Sequence, residues 1–458
     1  MKYFFTLIIV LLGFSNYSQN KQVLYNFAEL PQTLLVNPGA ETNYKFHVGV
    51  PLFSGISGEF GSTGFNLSDL FLSDNRLIND KVSEVLNKLD VRDHVKTHAQ
   101  IEVLNGGFRF DDKTYFSFGF YEEIDAISYF PKDFVRILNE GNSAYLNQSF
   151  SASQILYKLD LTGVLHFGVT RKVSEKLTLG ARFKIYSSAL NLESSNNSGT
   201  FTTINGTNNI YTHYIDNVDV NLRTSGIVDN STDEFIVDEK TYLNNTFFGK
   251  NLGLGLDFGF TYHIDDQLEL SASILDFGFI NHKKNIKNTT IKGDFIFEGV
   301  DFTFNPDNAT NYWNDLNDRF KEQLPSSENQ ESYISWRPTK LNAALKYSFG
   351  EKRSKYCYDN TYKEFYRNAI GVQLFSVFRP LSPLLSLTGF YEKSLSEKIH
   401  AKVTYTIDDY SFYNIGAGIS MQFGKVNFYG MIDNIAQFND ITSANNLSFQ
   451  LGFNVIYN

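Results

Sequence analysis

Apolar and polar side chains alternate along much of this chain with a period of two residues. In one stretch the apolar positions are Leu252, Leu254, Leu256, Phe258, Phe260 and Tyr262. Glycine or polar residues fill the positions between them, which predicts a β-strand with one apolar face and one polar face. The same pattern recurs at 177–185, 401–407, 413–423 and 447–457. The sequence therefore predicts an all-β fold.

The length of these runs distinguishes a membrane protein from a soluble β-sandwich, whose strands also alternate. The runs reach about ten to twelve residues, which is the length that a tilted strand needs to cross a bilayer. Strands of soluble proteins are nearer to about five or six residues. Within lipid, only a closed barrel gives every backbone N–H and C=O group of a sheet a partner. The pattern therefore predicts a transmembrane antiparallel β-barrel in the cell outer membrane.

The alternation and the turns that interrupt it predict fourteen strands. They lie near 43–62, 96–109, 113–125, 159–170, 176–190, 250–262, 267–281, 339–350, 367–378, 385–393, 397–407, 412–423, 425–434 and 447–457. Both termini of bacterial outer-membrane barrels normally lie in the periplasm, which requires an even number of strands. The extracellular side then receives the long connections 63–95, 126–158, 191–249 and 282–338. For the long periplasmic connection 351–366, a solvated linker is favoured over a partner-binding loop.

The two ends of the chain carry signals for export and for barrel assembly. Residues 1–18 join a basic start to a short apolar run, which is typical of a cleavable signal peptide. Residues 19–42 lack the lipid-facing alternation, and we predict that they form an N-terminal hatch or plug in the lumen, because a wide barrel needs filling or leaves a channel. Residues 43–458 form the barrel. The last strand resembles the terminal signature of outer-membrane barrels, which acts as a barrel-assembly signal. The matching residues are Gln450, Gly452, Val455 and Tyr457.

Local patterns predict three departures from a regular barrel. Segment 68–89 has apolar residues at helical spacing, which predicts a helix over the external mouth. Loop 191–249 is rich in Asn, Ser, Thr, Gly and Asp, a composition typical of solvated or mobile chain. The alternation slips between Ile274 and Leu275, which predicts a β-bulge. Such a bulge opens the wall laterally or, in the favoured interpretation, marks the exit of the strand from the membrane.

Charge and composition exclude several classes of function. A net charge of −10 and a pI near 5.4 speak against a nucleic-acid partner. The single cysteine, Cys357, cannot form an internal disulfide. Because the sequence shows no nucleophile elbow, phosphate-binding loop or metal-binding histidine pair, we predict a protein that is not an enzyme and has neither cofactor nor metal. Residues 229–234 offer oxygen ligands for Ca²⁺, but their spacing favours a solvated acidic turn.

The polar face of the predicted strands carries charges of both signs. The predicted lumen charges are Glu102, Arg182, Lys184, Asp257, Glu269, Asp276, Lys346 and Lys402. Mixed signs favour a self-neutralising network that fixes the barrel and its plug over an ion filter. His166 lies on the same face, where a hydrogen-bonding role is favoured over a catalytic one. This face is polar and rich in glycine, whereas a hydrophobic passage requires apolar lining.

Short motifs resemble those of one family of fourteen-stranded barrels. Before the first strand, a step similar to the Asn-Pro-Ala of that family is formed by Asn37, Pro38, Gly39 and then Ala40. Residues 275–278 read Leu-Asp-Phe-Gly, which is similar to a strand-end motif of the same group. The chain thereby resembles FadL-like outer-membrane barrels, in particular Bacteroidota relatives of the PorV and PorP types. The resemblance implies a lumenal hatch, and a role in passing hydrophobic molecules or in the type IX secretion and gliding apparatus.

Three functions remain open at this point. The favoured one is a non-enzymatic, plugged barrel that acts as an accessory component of an envelope complex of the type IX secretion or gliding kind. The alternatives are a FadL-like transporter of hydrophobic small molecules and a diffusion porin. The polar lumen favours the first function over the second. The expected partners are outer-membrane lipid, the barrel assembly machinery and other envelope proteins, without nucleic acid.

Overall fold

The computed structural model describes residues 20–27, 30–207, 209–232, 234–299, 312–351, 366–437 and 440–457. The predicted signal peptide, Cys357 and all but the two ends of connection 351–366 lie outside this range. None of the described helices has the length and apolar character required to cross a membrane.

Fourteen antiparallel strands close into one barrel. They are β1 (Phe46–Gly49 and Ile56–Ser62), β2 (His94–Arg109), β3 (Thr114–Tyr129), β4 (Tyr157–Lys172), β5 (Leu177–Ser194), β6 (Leu252–His263), β7 (Leu268–His282), β8 (Tyr333–Trp336 and Lys340–Glu351), β9 (Tyr366–Val377), β10 (Leu384–Ser396), β11 (Ile399–Asp408), β12 (Asn414–Phe423), β13 (Val426–Asp433) and β14 (Asn446–Tyr457). Each strand pairs with the next, and β14 pairs with both parts of β1, for example Phe46 with Tyr457 and Phe60 with Leu447. The predicted number and order of strands are confirmed.

Side chains along the strands alternate between an exposed apolar exterior and a buried interior. On β6, Leu254 and Phe258 are 48% and 49% exposed, whereas Asp257 between them is fully buried. Tyr405 of β11 is exposed and its neighbour Thr404 is buried. Lipid is the medium that such an outward apolar band fits, because the sheet is closed and leaves no unpaired edge. The protein is therefore a transmembrane β-barrel of the outer membrane.

The predicted β-bulge is present on β7. Phe258 pairs with Ile274 and Leu256 pairs with Phe277, so two residues of β7 oppose Asp257 alone. Asp276 adopts a left-handed backbone with φ of 57°, and the extra residue lets Ile274 and Phe277 both face lipid. Pairing with β6 continues to the end of β7, so the bulge neither ends the strand nor separates it from β6.

The described helices are short and lie either ahead of the barrel or within its long connections. They are α1 (Asn20–Leu24), α2 (Thr33–Val36), α3 (Leu67–Phe71), α4 (Ile78–Lys88), α5 (Lys132–Glu140), α6 (Glu239–Thr246) and α7 (Tyr312–Gln323). The single helix predicted over 68–89 is wrong in detail, because two helices occupy this loop. The first begins after Asn66, whose side chain accepts from the backbone N–H of Asp69 in a capping box.

The prediction of solvated chain over loop 191–249 is wrong. An antiparallel sheet outside the barrel is formed, in order, by Ser149–Ser151, Ser198–Asn205, Tyr211–Ser225, Asn288–Phe297 and Ser326–Asn329. Aromatic and β-branched residues such as Phe201, Tyr214 and Val218 favour strands, and the partner strand 288–297 comes from a distant loop that local composition does not reveal. A short hairpin pairs Val228–Asp229 with Glu234–Phe235.

Candidate functional site: a filled lumen and an external cavity

The chain ahead of the first strand lies inside the barrel, where α1 and α2 contact the wall. Val23, Leu24, Phe27 and Leu30 are each at most 2% exposed. Together with Tyr25 and Val36 they pack against three inward side chains of the wall, which are Ala344, Tyr429 and Met431. Removing these apolar side chains from water stabilises the segment in the lumen. Residues 20–27 and 30–42 are called the plug segment below.

The step Asn37-Pro38-Gly39 touches the wall backbone to backbone. The Thr170 hydroxyl donates to the Pro38 carbonyl at 2.7 Å, and the Asn37 amide donates to the carbonyl of Phe260 at 3.3 Å. A Cβ atom on Gly39 would lie 2.5 Å from the Gly259 carbonyl oxygen. On the wall, a Cβ on Gly180 would collide with the Pro38 carbonyl and one on Gly259 with the Asn37 side chain. Glycine on both sides therefore permits this close approach.

Gly180→Val is expected to lower the free energy of unfolding by about 1–3 kcal/mol, because the side chain overpacks a contact between two backbones. Chemical denaturation of the purified protein in detergent measures the loss. The matched control is Gly389→Val, since a Cβ at Gly389 meets no described atom within 4 Å. Equal stability of the two variants would contradict the contact between plug segment and wall.

Gln32 joins the plug segment to an interruption in the first strand. Between the two parts of β1, the carbonyl oxygen of Ser54 turns inward and lies 2.9 Å from Gln32 Nε2. The same nitrogen lies 3.0 Å from Asn454 Oδ1 and 3.2 Å from Glu102 Oε2. Gln32 was not among the residues predicted from the sequence. Pro51, which cannot donate to a sheet, was the available signal for the interruption.

A cluster of ion pairs lies at the level of the bulge. Lys184 Nζ is 2.9 Å from Asp257 Oδ2 and 2.5 Å from Asp276 Oδ1, and Arg182 Nη1 is 3.3 Å from Asp257 Oδ2. Lys340 Nζ contacts the second oxygen of Asp276 at 2.6 Å. Arg182 also donates to the backbone carbonyl of Leu34 in the plug segment. The four predicted charges of this group are thus brought together and linked to the plug segment.

The other predicted lumen charges also face inward and have partners. Lys346 pairs with Glu269 at 3.1 Å. Lys402 pairs with Glu392 at 3.2 Å and donates to the Tyr25 carbonyl of the plug segment at 2.6 Å. The Glu102 carboxylate accepts from Ser54 at 3.1 Å and from Asn105 at 2.6 Å. The Lys346 and Lys402 pairs agree with a self-neutralising network, whereas the hydrogen-bond donors to Glu102 are uncharged.

Sequence reasoning missed two further buried carboxylates and their cation. Arg337 pairs with Glu123 and lies 4.0 Å from Asp160. It was missed because it lies in the gap between the two parts of β8, where no alternation marks its direction.

His166 is buried in the interior, with its ring beside Tyr121 at a centroid distance of 5.8 Å.

The residues of the C-terminal signature divide between the two faces of β14. Gln450 donates to the hydroxyl of Tyr429 at 3.0 Å, and Gly452 lies against the Ser54 carbonyl. Val455 pairs with Val48, and Tyr457 stacks on Phe46 at a centroid distance of 4.1 Å. Their role as an assembly signal stays a prediction.

A cavity of about 490 Å³ lies outside the barrel, between the external sheet and helix α7. Its lining residues are Asn142, Phe201, His213, Ile215, Phe295, Phe297, Leu316, Asn317 and Phe320. The sheet contributes one face, because alternate residues of three neighbouring strands point the same way. Phe320 of α7 meets Phe295 edge to face at 5.2 Å. The lining is mainly aromatic, and its size is that of a small-molecule site.

Oxygen ligands at 229–234 are not gathered around a metal position in the described residues. The Asp229 carboxylate accepts from the backbone N–H and the hydroxyl of Ser231, at 2.9 and 2.6 Å. Asp233 lies outside the described residues. Across the described chain, no three His, Cys, Asp or Glu side chains form a group that could hold a metal ion.

Closed strand pairing, an apolar exterior and an N-terminal segment inside the lumen together define a transmembrane β-barrel. The chain belongs to a family of unknown function, DUF5723, whose model matches residues 38–433. No curated protein matches its sequence.

Three solved structures have a similar architecture. The chain is similar to the toluene transporter TbuX of Ralstonia pickettii, with 8% identity and a TM-score of 0.42 over 93% of this chain and 94% of that one. A FadL homologue of Pseudomonas aeruginosa has 8% sequence identity and a TM-score of 0.42, over 97% of this chain and 99% of that one. The toluene transporter TodX of Pseudomonas putida has 9% sequence identity and a TM-score of 0.39, over 96% of each chain. Likeness at this level says nothing about function, and the fold assignment rests on the strand pairing itself.

Proposed function

We propose that this protein takes up apolar small molecules across the outer membrane. The observation that supports the proposal best is the aromatic cavity at the external end, because a solvent-facing pocket of this lining and size gives an apolar molecule a first binding position. The plug segment then acts as the closure between this position and the periplasm. This was the second choice of the sequence analysis.

The polar lumen, which counted against transport in the sequence analysis, has a different meaning once the plug segment is in place. The inward polar groups of the wall hydrogen-bond to the plug segment, as Lys402 does to Tyr25. The plug segment supplies the apolar surface, with Val23, Phe27 and Leu30 buried against the wall. Displacement of this segment would therefore expose apolar and polar surface together.

A filled lumen speaks against the diffusion porin. A porin holds a continuous aqueous path, and its wall charges are hydrated. Here Arg182, Asp257 and Lys402 are at most 2% exposed, so water does not reach them. Passage of any solute requires the plug segment to move.

An accessory role in an envelope complex is the second candidate, and exposed apolar side chains on the external loops favour it. Phe71 and Leu77 of the first long loop are 72% and 71% exposed, and Leu138 of the second is 86% exposed. Side chains of this kind are typical of protein interaction surfaces when they adjoin one another. Purification of the native protein in mild detergent followed by mass spectrometry tests this role, which requires stoichiometric co-purifying proteins.

Naphthalene is expected to bind the purified protein, and Phe201→Ala and Phe320→Ala are each expected to weaken binding about tenfold, since an aromatic contact contributes roughly 1 kcal/mol or more. Equilibrium dialysis against matched detergent measures the affinities. Phe235→Ala is the control, because Phe235 is an exposed phenylalanine of the external hairpin outside the cavity. If naphthalene does not bind, or if the three variants bind alike, the cavity is not a capture site.

A further inference from the structure

One lining residue of the external cavity has a polar edge within an aromatic wall. His213 lies on the strand Tyr211–Ser225 and stands directly opposite Phe297 on the neighbouring strand. Its ring is nearly parallel to those of Phe201 and Phe297, with interplanar angles of 13° and 12° and centroid distances of 5.8 Å in both cases. The three rings form an offset row on one face of the sheet. His213 is therefore the part of this row that offers a hydrogen-bonding group.

The contacts of Nδ1 indicate the tautomer of the ring. His213 Nδ1 lies 3.3 Å from the side-chain nitrogen of Asn142 and 3.0 Å from the hydroxyl oxygen of Thr203. With the amide nitrogen of Asn142 directed at the ring, Nδ1 accepts, and the proton of the neutral imidazole is then on Nε2. Burial lowers the pKa of His213 below its usual 6.5, which keeps the ring neutral at neutral pH.

The remaining polar lining is limited. Asn142 uses its amide nitrogen on His213, and the other polar side chain, Asn317, is exposed on α7. The described lining residues include no acid, lysine or arginine. Over the part of the chain that the structure describes, the bonds to His213 engage Nδ1, which leaves the Nε2–H edge to meet a bound molecule.

We propose that the Nε2–H of His213 donates a hydrogen bond to the ligand of this cavity, and that the ligand is an uncharged, flat, apolar molecule with one acceptor oxygen. A ketone, an ester or an ether on an aromatic frame belongs to this class. An apolar molecule without an acceptor would remove water from Nε2–H without replacing its hydrogen bond. Binding of such a molecule is therefore disfavoured. This inference rests on the proposed capture role of the cavity and names its ligand class.

Two probes of similar shape test the inference. Naphthalene has no acceptor, and 2-acetylnaphthalene carries one carbonyl oxygen on the same frame. Binding of both to the purified full chain is measured by equilibrium dialysis, each corrected for its partition into detergent micelles. The unaltered protein is expected to prefer 2-acetylnaphthalene about tenfold, the preference that one hydrogen bond of about 1.4 kcal/mol gives.

His213→Phe keeps an aromatic ring in the row and removes the donor. It is expected to abolish the preference, because naphthalene then no longer desolvates a donor and 2-acetylnaphthalene no longer finds one. His213→Ala loses the ring as well, so it should weaken both probes. Asn142→Ala frees Nδ1 to carry the proton, and it should lower the preference.

The outcomes separate the two proposals. If neither probe binds the unaltered protein, the capture role fails and the ligand class falls with it. If both bind and His213→Phe leaves the preference unchanged, the cavity is a capture site but His213 does not select its ligand. Native migration of each variant as a folded barrel on a semi-denaturing gel shows that the comparison concerns binding.

Discussion

Deletion of residues 20–42 is expected to turn a closed barrel into an ion-conducting one. The full chain should show no persistent current in a planar lipid bilayer, because its inward charges are buried under the plug segment. A barrel of fourteen strands is wide enough to leave an aqueous channel when the lumen is emptied. The deletion also frees wall groups such as Lys402, Asn454 and Thr170 from their bonds to the segment. Hydrated charges of both signs would then line the opened pore.

The measurement is single-channel recording at fixed salt concentration, with the full chain in the same bilayers as the control. Before recording, the shortened protein must still migrate as a folded barrel on a semi-denaturing gel, because the segment contributes apolar packing. A large, steady conductance of the shortened protein alone supports the closure. Persistent current through the full chain would instead revive the diffusion porin, and silence of a folded shortened barrel would show that something other than residues 20–42 closes it.

The barrel could be predicted from the sequence because lipid imposes a strict rule on each strand. Leu254 and Phe258 had to be apolar, and Asp257 between them had to face inward, so a period of two residues marks both the strand and its orientation. The same rule exposed the bulge at Ile274 and Leu275, where the period fails. Short turns on one side and long loops on the other then set the order of the strands.

The candidate site was only partly predictable, because its contacts join residues that are distant in sequence. That Arg182 and Asp257 face inward follows from alternation, but the bond of Arg182 to Leu34 depends on the path of the plug segment. Gly180 and Gly259 appeared as ordinary small residues of a polar face. The external sheet was missed for the same reason, since Tyr211–Ser225 finds its partner strand in another loop.

The choice between the candidate functions depends on two features that the sequence could not show, the state of the lumen and the external cavity. A polar inner face indicated a hydrated or paired lumen and could not distinguish the two. The structure shows pairing, with Lys184 between Asp257 and Asp276, and the plug segment bonded to the same cluster through Arg182. The aromatic cavity combines residues of three separate loops, among them Asn142, His213 and Phe320, so no single stretch of sequence marked it.

Removal of one carboxylate from the buried ion cluster is expected to destabilise the barrel by about 3–5 kcal/mol, the usual cost of leaving a buried charge without its partner. Asp257→Ala is the variant, since Asp257 is fully buried and lies within 3.3 Å of both Arg182 and Lys184. Its other oxygen accepts from the backbone N–H of Asp276 at the bulge, at 2.7 Å. The substitution therefore leaves two cations with too few carboxylates and one backbone donor without its acceptor.

Denaturant titration in detergent, followed by fluorescence, measures the free energy of unfolding. Asp257→Asn removes the charge but keeps an acceptor for Asp276, so its loss should be smaller than that of Asp257→Ala. The double variant Asp257→Asn with Lys184→Met removes one charge of each sign and should recover part of the loss. The surface control is Glu175→Gln, whose partner Lys172 lies 2.8 Å away in an exposed turn, and its midpoint should stay unchanged. If Asp257→Ala behaves like this control, water must reach the cluster, and a lumen closed by the plug segment would be untenable.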